Sequence, residues 1–497
     1  MESTDHFCTA AGTSAAAAAP RMALYAQLAE DIAASIRRGA WEKGDRIPSV
    51  RQLSRERGVS AATVIRAHEL LEEQGYIESV PRSGRYVSDS WRQQTGATTR
   101  TAPTADPLTP LDPGEIVFHL LDSIRDNKLV RFGSPFPSPE LFPLAALGRT
   151  LGLAAQRTNP WRTVEYLADG SLELRQRIAQ RYVHRGANVA PDEIIITSGA
   201  LEGLNLCLQV VTRPGDMVAI EAPTFYGCLH AIKTLGLRAL EIPTHARDGV
   251  DLTALAQALA TAPIRACWFM TTYQNPLGAC MPSAAKRNLV RLLEAHDVPL
   301  IEDNVYAELY HGAKSPNLTK AYDRRGIVLE CGSFSKCLSP GYRVGWVAAG
   351  RYARAVRRCK LMSSLETNIS AQDAIAAFLR TGAYERHLRR VRRVLANRLA
   401  AALKSLDRHF PAGFRVVRPE GGYFLWIELP GSVRAVDLYR IALSRGICIA
   451  PGPIFSQRRE FDHFIRLNYG YPWTAVTDAA VATLADIMRA LMVKAAA

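Results

Sequence analysis

The period of apolar positions changes along the chain, and the changes divide it. Leu24, Leu28, Ile32 and Ile36 recur every four residues, the spacing of one helix face. Ile47-Pro48 halts that pattern, and Ser49 offers an N-cap for a short helix closed by Gly58. After Val59-Ser60 a second helix is expected to reach Gln74 and stop at Gly75. It turns Val64, Ala67 and Leu71 inward and Thr63 and Arg66 outward. Two short apolar runs, Tyr76-Ile77 and Tyr86-Val87, flank Pro81-Arg82-Ser83-Gly84, which predicts a hairpin with a basic, glycine-tipped turn. Helix, tight turn, second helix and wing make a winged helix-turn-helix, the geometry that lays a helix in the major groove of double-stranded DNA.

From about Ile116 the pattern becomes strands alternating with long helices. Ile194-Ile195-Ile196, Val218-Ala219-Ile220, Ala266 to Met270 and Pro299-Leu300-Ile301 are unbroken apolar runs. Such runs, spaced by helical stretches, predict an α/β fold whose mainly parallel sheet is covered on both faces, with ligands at the strand ends. Residues 88–115, rich in Thr, Pro, Ala and Gln, have linker composition. The expected division is a tail over 1–21, a winged helix over 22–90, a linker over 91–115 and a ligand-binding domain over 116–497.

Composition changes this picture only at its edges. A chain of 497 residues is too long for one ordinary core, and 48% apolar with 22% charged residues is globular composition. No apolar run is long enough to span a bilayer, and Met1 to Pro20 lacks the basic start of a secretory signal. The nine cysteines are scattered without a CxxC pair, which reads as reduced cytoplasmic thiols, with no disulfide frame and no metal site. A net charge of +14 favours polyanion partners. The densest basic run is Arg386, Arg389, Arg390, Arg392, Arg393 and Arg398, which reads as a solvated helix face or as a second contact to DNA.

Candidate chemistry follows the strands. Ser333-Phe334-Ser335-Lys336 sets one lysine among hydroxyls, with Arg343 seven positions on. A lysine that forms an imine must shed its proton, which a confined site eases. Ser333, Ser335 and Arg343 are the donors a phosphate needs. Pyridoxal phosphate carries an aldehyde and a phosphate on one ring. After Ile196, Ser198-Gly199-Ala200-Leu201 opens a helix whose first N–H groups can reach a phosphate. Phe225 reads equally as a ring that stacks on the cofactor or as a core aromatic. Asn275 and Tyr306 can meet a phenolate oxygen. Asp303 can hold a pyridinium N–H, although alone it reads more readily as a satisfied core carboxylate.

Two resemblances follow from these residues. Ile47-Pro48-Ser49-Val50-Arg51, Gly58-Val59-Ser60, Thr63-Val64, Gly75-Tyr76-Ile77 and Ser83-Gly84 resemble the GntR-type winged helix. This implies a DNA face of Arg51, Ser60, Thr63, Arg66, Arg82, Ser83 and Gly84. Ala61 stands where the family often carries arginine. Residues 130–490 resemble the class I/II aminotransferases of fold type I, a mainly parallel sheet with a smaller C-terminal α/β subdomain. That resemblance implies Lys336 as the Schiff-base lysine, Asp303 on the ring nitrogen, and Asn275 and Tyr306 on the phenolate. It implies Phe225 stacked on the ring, and Ser333, Ser335, Arg343 and the Ala200–Leu201 backbone on the phosphate. Tyr166 matches the tyrosine that reaches the neighbouring subunit's phosphate. Arg466 matches the arginine that grips a substrate carboxylate, and Gly133 to Pro137, with Ser134, matches the loop bordering the substrate.

The fusion resembles the MocR branch of the GntR superfamily. It implies a cytoplasmic regulator, a head-to-tail homodimer, that senses an amino acid or amine through aldimine formation. The alternative is a working aminotransferase with an appended winged helix.

Overall fold

The computed structural model describes residues 22–88, 113–126, 128–157, 159–161, 169–458 and 460–496. The chain divides into two compact units, Met1–Pro110 and Leu111–Ala497.

In the smaller unit, helices Leu24–Arg37, Val50–Arg57 and Ala61–Glu73 precede a hairpin of Ile77–Val80 and Gly84–Val87. The stops and starts have local causes. Ser49 Oγ accepts the Gln52 N–H at 3.3 Å, Gly58 takes a left-handed φ of 63°, and Ser60 Oγ accepts the Thr63 N–H at 3.1 Å. Leu28, Ile32, Ile36, Leu53, Val64 and Leu71 fill the core. Each such burial stabilises by roughly 1.5–3 kcal/mol. Leu24, at the head of the four-residue spacing, stays 64% exposed. Arg46 bridges Tyr86 and lies against Gly84, where an added Cβ would sit 2.9 Å from its Nε. With φ 131° as well, Gly84 is the residue the wing requires there.

The larger unit is built on an eight-stranded sheet. Its order is Ile194–Thr197, Gly345–Ala348, Val328–Ser333, Leu300–Asp303, Ile264–Phe269, Met217–Ala222, Arg238–His245 and Gly249–Val250. Gly345–Ala348 runs antiparallel to both neighbours and the short Gly249–Val250 edge is antiparallel to its own. The other pairs are parallel. The four apolar runs expected from the sequence, one of them the edge strand Ile194–Thr197, are buried on both faces. A second, antiparallel sheet joins Arg415–Val416, Phe424–Glu428, Phe464–Asn468 and Ala450–Pro451.

One boundary differs from expectation. The helix Pro113–Asp122 starts inside the stretch read as linker. Pro113 is suited to a first helical turn and Glu115 complements the helix dipole there, so residues that look like linker composition here begin a helix.

Candidate cofactor and ligand site

A cavity of about 990 Å³ lies where the large sheet's strands end. Lys336, one short turn beyond Val328–Ser333, enters it. Its Nζ donates to the Pro135 carbonyl at 3.1 Å and lies 4.1 Å from the centre of the Phe136 ring. Asp303 closes the neighbouring strand, level with Cys331, and lines the same cavity. It is 3% exposed, and its Oδ1 is buried with no hydrogen-bond partner among the described residues. Burial drives the Lys336 amine down to about 7, against the pull of Asp303. Burial likewise drives the Asp303 carboxyl up to about 7, against the pull of Lys336. The two groups sit near neutrality, where a small change of surroundings moves a proton.

At one end of the cavity Ser333 Oγ donates to Ser335 Oγ at 2.9 Å and accepts the Ser335 N–H at 3.0 Å. Ala200 and Leu201, which begin the helix Ala200–Val211, line the wall with these serines. Arg343 also lines it, with φ 52° and Nη2 donating to the Ser198 carbonyl at 3.0 Å. Ser198 and Gly199 do not face the cavity. The Ser198 N–H donates to the Glu202 carboxylate, and a Cβ on Gly199 would sit 2.7 Å from Arg343 Nη2. Both residues shape the turn that seats Arg343.

Arg466, on the strand Phe464–Asn468, is fully buried and is not among the residues that line the cavity, reaching it through Asn275. Its Nη1 donates to Asn275 Oδ1 at 2.9 Å and its Nη2 to the Gly133 carbonyl at 2.7 Å. Asn275 lines the cavity, and among the described residues its Nδ2 makes no hydrogen bond. Ser134 is buried and folds onto its own loop, its Oγ donating to the Phe136 carbonyl at 3.0 Å. Pro135 and Phe136 are the loop residues that line the cavity. Phe225 and Tyr226 form another wall, their rings 4.7 Å apart. Tyr306 lines the site with its ring edge-on to Tyr423 at 5.4 Å. Tyr166 lies outside the described residues.

Sequence reasoning missed Tyr423. Its hydroxyl donates to the Pro135 carbonyl at 3.0 Å, the oxygen that also takes Lys336 Nζ. Cys337, beside the lysine, is a buried filler whose thiol burial pushes up to about 12.

The donor set fits pyridoxal phosphate. An orphaned buried carboxylate awaits an N–H, an amine near neutrality stands across from it, and paired serines with a guanidinium form the anion end.

On the smaller unit, Arg51 is exposed in the first turn of its helix, and Arg82 sits at the wing tip with φ 59°. Thr63 Oγ1 lies 2.8 Å from Ser60 Oγ, and Ser83 Oγ lies 2.6 Å from the Tyr86 hydroxyl. Arg66 points outward but pairs along its own helix with Glu69 at 2.9 Å and Glu73 at 3.8 Å.

The basic run on the helix Ala383–His409 is not simply a solvated face. Arg390 donates to the Leu141 carbonyl at 2.7 Å, Arg392 to that of Glu308 at 2.8 Å, and Arg398 to that of Gly470. These three tie down distant loops, leaving Arg386, Arg389 and Arg393 exposed. Among the described residues no helix is long and apolar enough to cross a membrane.

A buried lysine and aspartate at the sheet ends, with a winged helix on the same chain, define a two-part protein, and comparison with known proteins agrees. Residues 163–484 match the class I and II aminotransferases, and residues 24–87 match the gntR family of bacterial regulatory proteins. The chain belongs to the class I and II aminotransferase family and carries a GntR-family domain before it, the MocR-type architecture. It is 44% identical to the Escherichia coli protein named uncharacterized HTH-type transcriptional regulator YdcR, across 94% of this chain and 99% of that one. It is 33% identical to 2-aminoadipate transaminase of Thermus thermophilus, across 70% of this chain and 87% of that one. The crystal structure of LysN, the alpha-aminoadipate aminotransferase of Thermus thermophilus, superposes with a TM-score of 0.69 at 30% identity. It covers 76% of this chain and 95% of that one.

Proposed function

We propose that this protein is a cytoplasmic transcriptional regulator whose winged helix binds a double-stranded DNA operator. Its larger unit holds pyridoxal phosphate and with it captures an amino acid or amine. The observation that carries this reading is the Lys336–Asp303 pair, buried in one cavity on a chain that also has a winged helix. When bound, the cofactor supplies an aldehyde carbon for an amino group and a ring that draws electrons from it.

The chain's own residues do the rest. Lys336 would hold the cofactor's aldehyde carbon through Nζ, and its near-neutral amine is the group that would take or give a proton there. Asp303 holds the ring-nitrogen proton at Oδ1. Asn275 Nδ2 and Tyr306 orient the phenolate edge, with Phe225 against the ring face. Ser333, Ser335, Arg343 and the Ala200–Leu201 backbone would take the phosphate, and the protein would act as a head-to-tail homodimer. Arg466, held by Asn275 and Gly133, takes a ligand carboxylate. Arg51, Thr63 and the wing carry the DNA contact.

The test is direct. Purified protein should show a visible cofactor band that Lys336→Ala removes. Among a panel of amino acids and amines, one should shift both that band and the affinity for DNA upstream of the protein's own gene. A band kept by Lys336→Ala, or a ligand that shifts the band without touching DNA binding, would sink the reading.

A second reading, a working aminotransferase, is favoured by the complete residue set and by a Lys336 amine that burial brings near neutrality. Sustained conversion of the amino acid to its 2-oxo acid, with a 2-oxo acid as acceptor, separates it from a sensor that stops at capture.

A further inference from the structure

A second cavity, of about 530 Å³, opens on the larger unit. It lies where the end of the helix Leu172–His184, the helix Ser283–Ala295 and the turn Thr319–Tyr322 converge. It shares no lining residue with the cofactor cavity. Arg185, Arg287, Arg291 and Arg324 line it, against the single carboxylate of Glu294. That carboxylate is partly spent, since its Oε1 accepts the Arg324 backbone N–H at 3.2 Å.

Arg287 is held in place, and Arg185 also feels the buried carboxylates of Glu308 and Glu330 behind the cavity wall. Arg287 lies 5.3 Å over the Tyr322 ring, which fixes the plane of its guanidinium. Arg291 follows one turn later on the same helix, a spacing at which like charges repel. Arg185 is under-bonded: among the described residues its buried Nε has no hydrogen-bond partner, and its Nη2 meets the Ala307 and Pro316 carbonyls only at 3.5 Å. Among the described residues none of the four forms an ion pair. Guanidinium forks match phosphate and carboxylate oxygens two at a time. Four of them around one hollow suit a ligand with more than one such group.

We infer that this cavity binds a compact small-molecule polyanion, one carrying two or more phosphate or carboxylate groups. DNA is the other polyanion within reach of this protein. A duplex, however, presents phosphates along an extended backbone, whereas these arginines line a hollow.

Full-length protein saturated with pyridoxal phosphate, so that the cofactor's own anion end is filled, is titrated calorimetrically with inorganic pyrophosphate and, separately, with citrate at constant ionic strength. At least one probe should bind saturably, and which one tells phosphate from carboxylate. Arg287→Ala/Arg291→Ala, both exposed positions, should weaken that binding by about tenfold or more. Arg324→Ala is an independent second variant expected to act the same way. No saturable binding of either probe overturns the inference, as does equal affinity in both variants. If neither probe binds while the variants weaken operator binding with a smaller salt slope, the arginines contact DNA and the inference falls.

Discussion

Arg466 Nη1 donates to Asn275 Oδ1 at 2.9 Å, so the arginine expected to grip a carboxylate and the amide expected at the phenolate are one unit. Its other anchor is the Gly133 carbonyl, and the Phe424 ring lies 4.2 Å from its guanidinium carbon. A ligand carboxylate would therefore meet a guanidinium already oriented. Arg466→Lys should weaken binding of amino acids by roughly 2–4 kcal/mol and leave amines without a carboxylate nearly unaffected. The check is ligand titration of the cofactor band. Equal losses for both ligand classes would make Arg466 a structural residue.

The near-neutral Lys336 has a consequence in pH. Its amine loses its proton at about 7, so the reactive fraction in protein stripped of cofactor is complete above that and falls about tenfold per pH unit below it. The rate of covalent cofactor attachment should follow this curve. Asp303 raises the lysine's pKa, so Asp303→Asn should move the midpoint lower. A midpoint that rises in the variant, or a wild-type rate still rising about tenfold per pH unit up to pH ~10, contradicts the buried pair.

What could be read from the sequence was set by short-range order. Lys336, Asp303, Asn275 and Phe225 each follow an apolar strand, and in such sheets strand ends gather at one site. Tyr423 could not be found that way, because its partner Pro135 is 288 positions away and no local pattern encodes the meeting. The same limit applies to Arg390, Arg392 and Arg398, whose carbonyl partners come from Leu141, Glu308 and Gly470. Arg66 is the opposite case: its pairs with Glu69 and Glu73 lie along its own helix, and the Glu69 pair has the three-residue spacing a local pattern can encode. Arg46 joins the wing through a bridge to Tyr86, forty residues on, and was not anticipated.

Those positions sharpen the expectation for DNA. Arg51 and Arg82 are exposed, whereas Arg66 must leave two carboxylates to reach a phosphate. Arg51→Ala and Arg82→Ala should each reduce the salt slope of operator affinity by about one unit, and Arg66→Ala by less. Arg389→Ala/Arg393→Ala leaves the carbonyl-bound Arg390 intact and tests the larger unit separately. An unchanged slope in Arg51→Ala removes it from the DNA face. A lowered slope in the double variant adds the helix Ala383–His409 to it.

His68 points to acid sensitivity within the helix Ala61–Glu73. It is 1% exposed, and neither ring nitrogen has a hydrogen-bond partner among the described residues. Burial drives its pKa down to about 4, Arg85 pushes the same way, and Glu72 opposes both. Unfolded, the ring takes its proton near the ordinary histidine value of about 6.5. Between those two values the unfolded chain binds more protons than the folded one, so stability falls as pH drops from about 6.5 toward 4. Amide exchange of residues 61–73 in the full chain should report an opening equilibrium that grows with acid, by at most about tenfold per pH unit, the limit for one proton. His68→Leu removes the titrating group from that pocket and should flatten the dependence. An equal slope in the variant would assign the acid sensitivity to the surface ion pairs instead.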